Sequence, residues 1–154
     1  MIWDELWQSD PDLANLGEER FNRTGLVLIA TLRKDGWPRI SPVEPLITGG
    51  RLYLGMMWQS RKALDLLRDP RCTVHNTISN KDGTEGEFKV YGRAVDIQDP
   101  DLRQRYAKAF FEKLGLDPTA DGSPFHLFSI DIESVAFAIL ENNETWTRKL
   151  WKAG

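Results

Sequence analysis

Tight turns at Asp35-Gly36 and Gly49-Gly50 divide the first third of the chain into three short apolar runs, "GLVLIATLR" (25–33), "PRISPVEPLI" (38–47) and "RLYLGMM" (51–57). None of the intervening stretches is long enough to hold a helix. Parallel neighbours need a crossover of a dozen or more residues, so these runs can pair only as an antiparallel meander. The helices further along are too few and too irregularly placed for a doubly wound parallel sheet. The first run is β-branched and apolar on both faces, which predicts a strand buried on two sides. The second carries three prolines, which cannot donate to a ladder, so part of it is an edge or is bulged.

The rest of the chain continues in the same manner. Residues 71–78 read as a strand, 79–86 as a polar loop, and 87–97 as an alternating strand. In the last of these Phe88, Val90 and Ala94 face one way, and Glu87, Lys89, Tyr91 and Arg93 the other. Asp99-Pro100 opens a helix through Leu102, Tyr106, Ala109 and Phe110, which Gly115 ends. Residues 125–133 and 134–140 follow as strands, and Asn142-Asn143 turns into a last apolar and basic stretch. At the N-terminus Trp3, Leu6 and Trp7 share a helical face, and Asp10-Pro11 starts a second helix through Leu13, Leu16 and Arg20. The expectation is one mainly β domain over 1–154, a six- to seven-stranded antiparallel barrel with flanking helices and a helical segment at 1–24.

Composition narrows the function classes. A net charge of −3 does not suit a phosphate backbone, so no nucleic-acid partner is expected. There is no apolar run of membrane-spanning length, and the acidic start "MIWDELWQSDPDL" lacks a signal-peptide core, so a cytoplasmic protein is expected. Cys72 is the single cysteine, and His75 and His126 stand far apart, so no metal site is predicted. Cys72 and His75 would point to opposite faces of a strand and make no nucleophile pair. No nucleophile elbow, P-loop or G-x-G-x-x-G is present. Of the six tryptophans, Trp37, Trp146 and Trp151 are placed to cover a ligand or a partner subunit.

One stretch invites a ligand. In "MMWQSRKALDLLRDPRC" (56–72) Ser60 is set to cap a helix whose apolar face is Ala63, Leu64 and Leu67. Arg61 and Lys62 then occupy its first turn, where the partial positive charge of the helix end makes cations unfavourable. An anion bound there would resolve the conflict, since free N–H groups, a hydroxyl and two cations together suit a phosphate. The plainer alternative is a solvated helix face with Arg61 paired to Asp65.

The Ser-Arg-Lys helix start behind "RLYLGMM", with "RISPVEP" one strand earlier and "GEFKVYGRAV" later, resembles the pyridoxamine-phosphate-oxidase-like flavin-binding split barrels. The similarity runs from about residue 25 to residue 140. It implies a homodimer with an FMN-type cofactor at each subunit interface. Ser60, Arg61 and Lys62 would then hold the flavin phosphate, and Arg39, Ile40, Ser41, Pro42 and Val43 would run beside the ribityl chain and ring. Gly55 and Met56 would line the same pocket, and Glu87 and Lys89 would approach from the other subunit. The resemblance also has departures. Glu44 stands where the oxidase has lysine, Glu87 where glutamine is usual, and the C-terminal Arg-x-His segment has no counterpart. These argue against pyridoxamine phosphate as the substrate.

The expected function is therefore an FMN-dependent oxidoreductase acting on a small molecule, with no catalytic side chain assigned, because a flavin carries the redox chemistry. An 8-hydroxy-5-deazaflavin is the alternative cofactor, with Arg33, Lys34 and Arg51 as candidates for its acidic tail. Asp65 and Asp69 offset Arg68 beyond the helix start, which favours FMN. A non-enzymatic flavin or haem carrier is the third reading, with His75 and His126 as the only imidazoles for a haem iron.

Overall fold

The computed structural model describes residues 1–154. Two helices, α1 (Trp3–Ser9) and α2 (Pro11–Asn22), precede strands β1 (Val27–Leu32), β2 (Pro38–Val43), β3 (Pro45–Thr48) and β4 (Arg51–Met57). Helix α3 (Arg61–Arg68), β5 (Arg71–Asn76), β6 (Glu87–Asp96), α4 (Pro100–Leu114), β7 (Phe125–Glu141) and β8 (Thr145–Lys152) follow. All eight strands form one antiparallel sheet in the order β2-β1-β5-β6-β7-β4-β3, with β8 added along β7. Strand β7 is the spine. One edge pairs with β6 along its length, while the other pairs first with β4 and then with β8.

The run 38–47 is two strands rather than one. β2 pairs with β1 and β3 with β4, so the chain passes from one end of the sheet to the other through Glu44 alone. The sheet is curled until its two ends meet, yet no ladder joins them. Pro42 and Pro45 lack the N–H groups such a ladder would need. The result is a barrel split along this seam. The stretches 125–133 and 134–140, by contrast, are one strand. Tyr91 pairs with Ser134 but Gly92 with Ile132, which leaves Glu133 as a bulge. Gly92 permits the kink, since a Cβ there would lie 2.2 Å from the Asp131 carbonyl oxygen.

Inward residues of the barrel, among them Val27, Ile29, Leu52, Leu54, Val74, Phe88, Val90 and Ile130, form the main core. One mouth is covered by α1 and α2, where Trp3, Leu6, Leu13 and Phe21 are buried. Phe21 meets Phe88 edge to face at 5.4 Å between centroids, the favoured aromatic arrangement. Trp7 lies outside this contact and is exposed, because α1 is only two turns long and presents a single narrow face. Trp151 turns inward and its indole N–H donates to Ser9 Oγ at 2.8 Å, whereas Trp37 and Trp146 are exposed.

The outer surface of the sheet is treated in two ways. Behind β3, β4 and the start of β7, helix α4 packs Tyr106 on Leu46, Tyr53, Ile97 and Leu127. Behind β2, β1, β5, β6 and the end of β7 no element packs. The register places Pro42, Leu28, His75, Lys89, Ala136 and Leu150 in one row of this bare face, and Ile40, Ala30, Thr73 and Tyr91 in the next. Ile40 is 68% exposed and Leu150 61%. The two-sided apolar character of 25–33 is thus met by burial on one side only: Val27, Ile29 and Thr31 are buried, while Leu28, Ala30 and Leu32 are half-buried.

The packing of α2 on the barrel is testable at Gly17. Glycine to alanine inside a helix ordinarily stabilises by about 0.5–1 kcal/mol, but a Cβ at Gly17 would lie 2.2 Å from Phe88 Cζ. Overpacking of this kind costs about 1–3 kcal/mol, so Gly17→Ala is expected to lower the midpoint of urea unfolding. A raised midpoint would show that Phe88 is not held as described.

Candidate functional site

Strand β4 leaves the sheet at Met57, and the chain reaches α3 through Trp58, Gln59 and Ser60. Gln59 has φ +59°, a left-handed conformation that a non-glycine residue holds only when its surroundings fix it. Two contacts do so. The Gln59 N–H donates to Nε2 of His126 at 3.2 Å, and the Ser60 N–H donates to the Met57 carbonyl at 3.1 Å. His126, on β7, is 5% exposed and is stacked on the Trp58 ring, with centroids 4.4 Å apart and planes at 11°.

Ser60 is extended at the helix start, and its carbonyl accepts the first helical bond from Leu64 N–H at 3.0 Å. Its side chain does not cap the helix as expected. Its Oγ is instead buried without any hydrogen-bond partner. A buried hydroxyl without a partner carries a desolvation cost of about 1–3 kcal/mol, and the N–H groups of Arg61, Lys62 and Ala63 beside it precede the first intrahelical bond. Arg61 is exposed and pairs with no carboxylate, and Lys62 Nζ donates to the Pro42 carbonyl at 2.9 Å. Every group at this turn is a donor or a cation, and no acid lies in the first turn.

The alternative pairing of Arg61 with Asp65 does not occur, because Asp65 points inward. It is 3% exposed and accepts from Arg39 Nε at 2.7 Å, Thr31 Oγ1 at 2.8 Å and Arg68 Nη2 at 3.1 Å. Burial alone would raise its pKa. The hydrogen bonds from Arg39, Thr31 and Arg68 outweigh that and hold it below the ordinary carboxylate value. This network also turns the helix: Ala63 and Leu66 are the buried apolar residues, while Leu64 and Leu67 are largely exposed.

Of the residues singled out from the sequence, the chain gathers Ser60, Lys62, Pro42 and Arg39 around α3. Arg39, Ser41 and Val43 sit on the side of β2 shared with inward-facing Thr31, Ile29 and Val27, while Ile40 and Pro42 face out. Gly55 and Met56 line a hollow behind β4 under α4, and the Met56 side chain lies in the barrel core. Glu87 and Lys89 stand apart, salt-bridged to each other at 2.9 Å on the outer face of β6. The Lys89 bond lowers the Glu87 pKa. Three strand spacings separate Lys89 from Pro42 across that face, roughly 14 Å, so one chain does not unite the two groups.

Sequence reasoning missed Thr31, Gln59, the support His126 gives the turn, and the buried role of Asp65. Asp65 was visible as an acid four residues after Arg61 and as a charge offsetting Arg68, of which the structure contains the second pairing. The His126 contact is 67 residues distant from Gln59 and leaves no local signal. Both histidines are engaged: His126 accepts from Gln59 through Nε2, and His75 bonds the Asn76 carbonyl through Nδ1, which leaves its Nε2 free. Burial drives the Cys72 thiol up to about 12, so it is no nucleophile.

A split antiparallel barrel with flanking helices defines the class of fold, and comparison with known sequences identifies the family. The family model described as pyridoxamine 5'-phosphate oxidase matches residues 17–138, and the chain belongs to that family. No curated protein matches its sequence. Among solved structures, a protein related to general stress protein 26 (pyridoxinephosphate oxidase family) from Clostridium acetobutylicum superposes with a TM-score of 0.64 at 14% identity, covering 92% of this chain and 96% of that one. A haem-binding protein from Mycobacterium smegmatis gives 0.62 at 17% identity over 87% of this chain, which spans only 57% of that protein's length. The haem storage protein of Vibrio cholerae gives 0.62 at 17% identity over 80% and 89% of the two chains. At such identities these likenesses speak for the fold alone. No helix is long and apolar enough to cross a membrane.

The Asp65 network yields a linked prediction. Removing a hydrogen bond to a charged group costs about 1.5–3 kcal/mol, so Asp65→Asn is expected to lower the unfolding free energy at pH 7 by at least that much. Because the folded pKa is depressed, the carboxylate's contribution is complete above its unfolded pKa and is lost as pH falls through the folded value. Denaturant curves of parent and variant should therefore differ unchanged from pH 7 to 5 and converge in stronger acid. A constant difference down to pH 2 would contradict the charge assignment.

Proposed function

We propose that the protein is an FMN-binding oxidoreductase that works as a homodimer on a small-molecule substrate. The observation that carries this is the buried, unpartnered Ser60 hydroxyl among free helix N–H groups, with Arg61 and Lys62 beside it. A terminal phosphate would supply the missing acceptor and reverse the unfavourable placement of both cations. Asp65 keeps Arg39 directed at the floor beneath α3, so that Arg39 positions the turn and strand β2 runs alongside the bound chain of the cofactor. When bound, the flavin supplies the hydride or electron chemistry, and the protein's part is holding, orienting and excluding water.

The bare outer face of β2, β1, β5, β6 and β8 supports the dimer, since an apolar face of that extent is characteristic of an interaction surface. A second subunit docked there would bring its own Glu87 and Lys89 toward the first subunit's β2, which the roughly 14 Å separation within one chain does not allow. FMN is favoured over the deazaflavin because no run of free cations leads away from the helix start, although Lys34 and Arg51 form no ion pair. Arg33 pairs with Asp35 at 2.8 Å, and Arg68 is held by Asp65. Haem carriage is a second reading, favoured by the free Nε2 of His75 on the outer face. A haem absorption band lost in His75→Ala would support it, and a flavin spectrum would exclude it as the resident cofactor.

Two outcomes test the main reading. Arg61→Ala/Lys62→Ala is expected to weaken FMN binding by well over tenfold, at about 1.5–3 kcal/mol for each charge-assisted contact. The same variant without cofactor should melt no lower than its parent. A markedly lower melting temperature would make the cations structural. Light scattering at micromolar concentration should give a species twice the 17.7 kDa chain mass, with an interface on the order of 2,000 Å² or more. A stable monomer would contradict the dimer.

A further inference from the structure

The hollow behind β4 has a chemistry of its own. It holds about 750 Å³ between α4, the loop 115–124 and the seam of the barrel, a size suited to a small organic molecule. Its body is aromatic, formed by Trp58, Tyr106, Phe110 and Phe125, and its charged lining is Glu44, Asp117 and Asp121. No lysine, arginine or histidine lines it. Glu44 is exposed at the seam and forms no ion pair. Asp117 and Asp121 accept their own loop's N–H groups from Thr119 and Ser123 through Oδ1. Side-chain and backbone bonds from those residues keep both below the ordinary carboxylate pKa, so they stay ionised.

A second observation points to a ligand. Tyr106 is 2% exposed, and its hydroxyl lies over Gly55, where an added Cβ would be 2.3 Å from Oη. That hydroxyl has no hydrogen-bond partner in the protein and opens to the hollow, although the side chain that carries it is buried. Burial first, and the Glu44 carboxylate second, push the phenol upward. It therefore remains protonated and lies within electrostatic reach of Glu44. An unpartnered hydroxyl on a buried side chain, a free carboxylate and aromatic walls complement one chemical class.

We infer that this hollow binds a small organic cation with a flat apolar body, its ammonium group directed to Glu44 and the Tyr106 hydroxyl and its ring among Trp58, Phe110 and Phe125. Aromatic faces attract such a cation further, whereas a phosphate or carboxylate ligand would meet like charge on the lining itself, the nearest cation being Arg103 against the Phe125 ring. That this cation is the redox substrate rests on the flavin reading; that it binds does not. The lysine that the resemblance leads one to expect at position 44 would favour the opposite charge.

The test is calorimetric titration of the whole protein, with and without added FMN, using 2-phenylethylammonium and 3-phenylpropionate as probes of similar size and opposite charge. The ammonium is expected to bind at least tenfold more tightly than the carboxylate. Glu44→Gln should remove most of that preference, and Tyr106→Phe should weaken the ammonium severalfold with an unchanged melting temperature. Equal or reversed preference, no binding of either probe, or a preference that survives Glu44→Gln would overturn the inference. Ammonium binding to a protein that takes up no FMN would sustain the inference while contradicting the flavin reading. FMN uptake without ammonium binding would overturn the inference alone.

Discussion

A single buried carboxylate fixes the geometry on which the site depends. Asp65 joins Thr31 of β1, Arg39 of β2 and Arg68 of its own helix, so the rotation of α3 against the barrel is set by charge as much as by apolar packing. Uncompensated burial of a carboxylate would cost several kcal/mol; three donors offset it and, in doing so, consume the two arginines that could otherwise neutralise an anion elsewhere. Arg61 and Lys62 are left over. Their position at a helix start is unfavourable by itself, and the buried Ser60 hydroxyl beside them adds to that cost.

Much of the architecture was legible because its signals are local. Asp35-Gly36 and Gly49-Gly50 occupy positive-φ turns, and Asp10 and Asp99 cap the helices that their prolines announce. Gly115 ends α4 in the left-handed conformation at φ 70°. The alternation of 87–97 matches burial of Phe88, Val90 and Ala94. What was hidden is non-local. Prolines in 38–47 signalled irregular pairing, but not that the strand would divide and span the seam of the barrel. The bulge at Glu133 is defined by its partner strand, so the sequence offers only a polar break at that point. The same holds for the site: the Ser60-Arg61-Lys62 cluster is contiguous and could be read, while the His126 support comes from a strand far along the chain.

The two outer faces of the sheet differ in what covers them. Helix α4 covers one and creates the acidic, aromatic hollow in doing so; the other stays bare and largely apolar, with the Glu87–Lys89 pair set within it. The turn at Ser60 follows β4, on the covered side, and the residue after that strand, Trp58, stacks on His126 of β7, the strand common to both faces. A cofactor anchored at Ser60 and extended along β2 would therefore run from the helix start toward the bare face, with the hollow reached from β4. This relation between the parts follows from the split in the barrel, because β2 and β3 meet only at Glu44.

The central claim is that the turn at Ser60 is built for a terminal phosphate. The most direct measurement compares FMN with riboflavin, which differ only in that group, by fluorescence titration of the cofactor-free protein. Two charge-assisted contacts at about 1.5–3 kcal/mol each predict that FMN binds at least a hundredfold more tightly. Equal affinity for the two flavins would contradict the account.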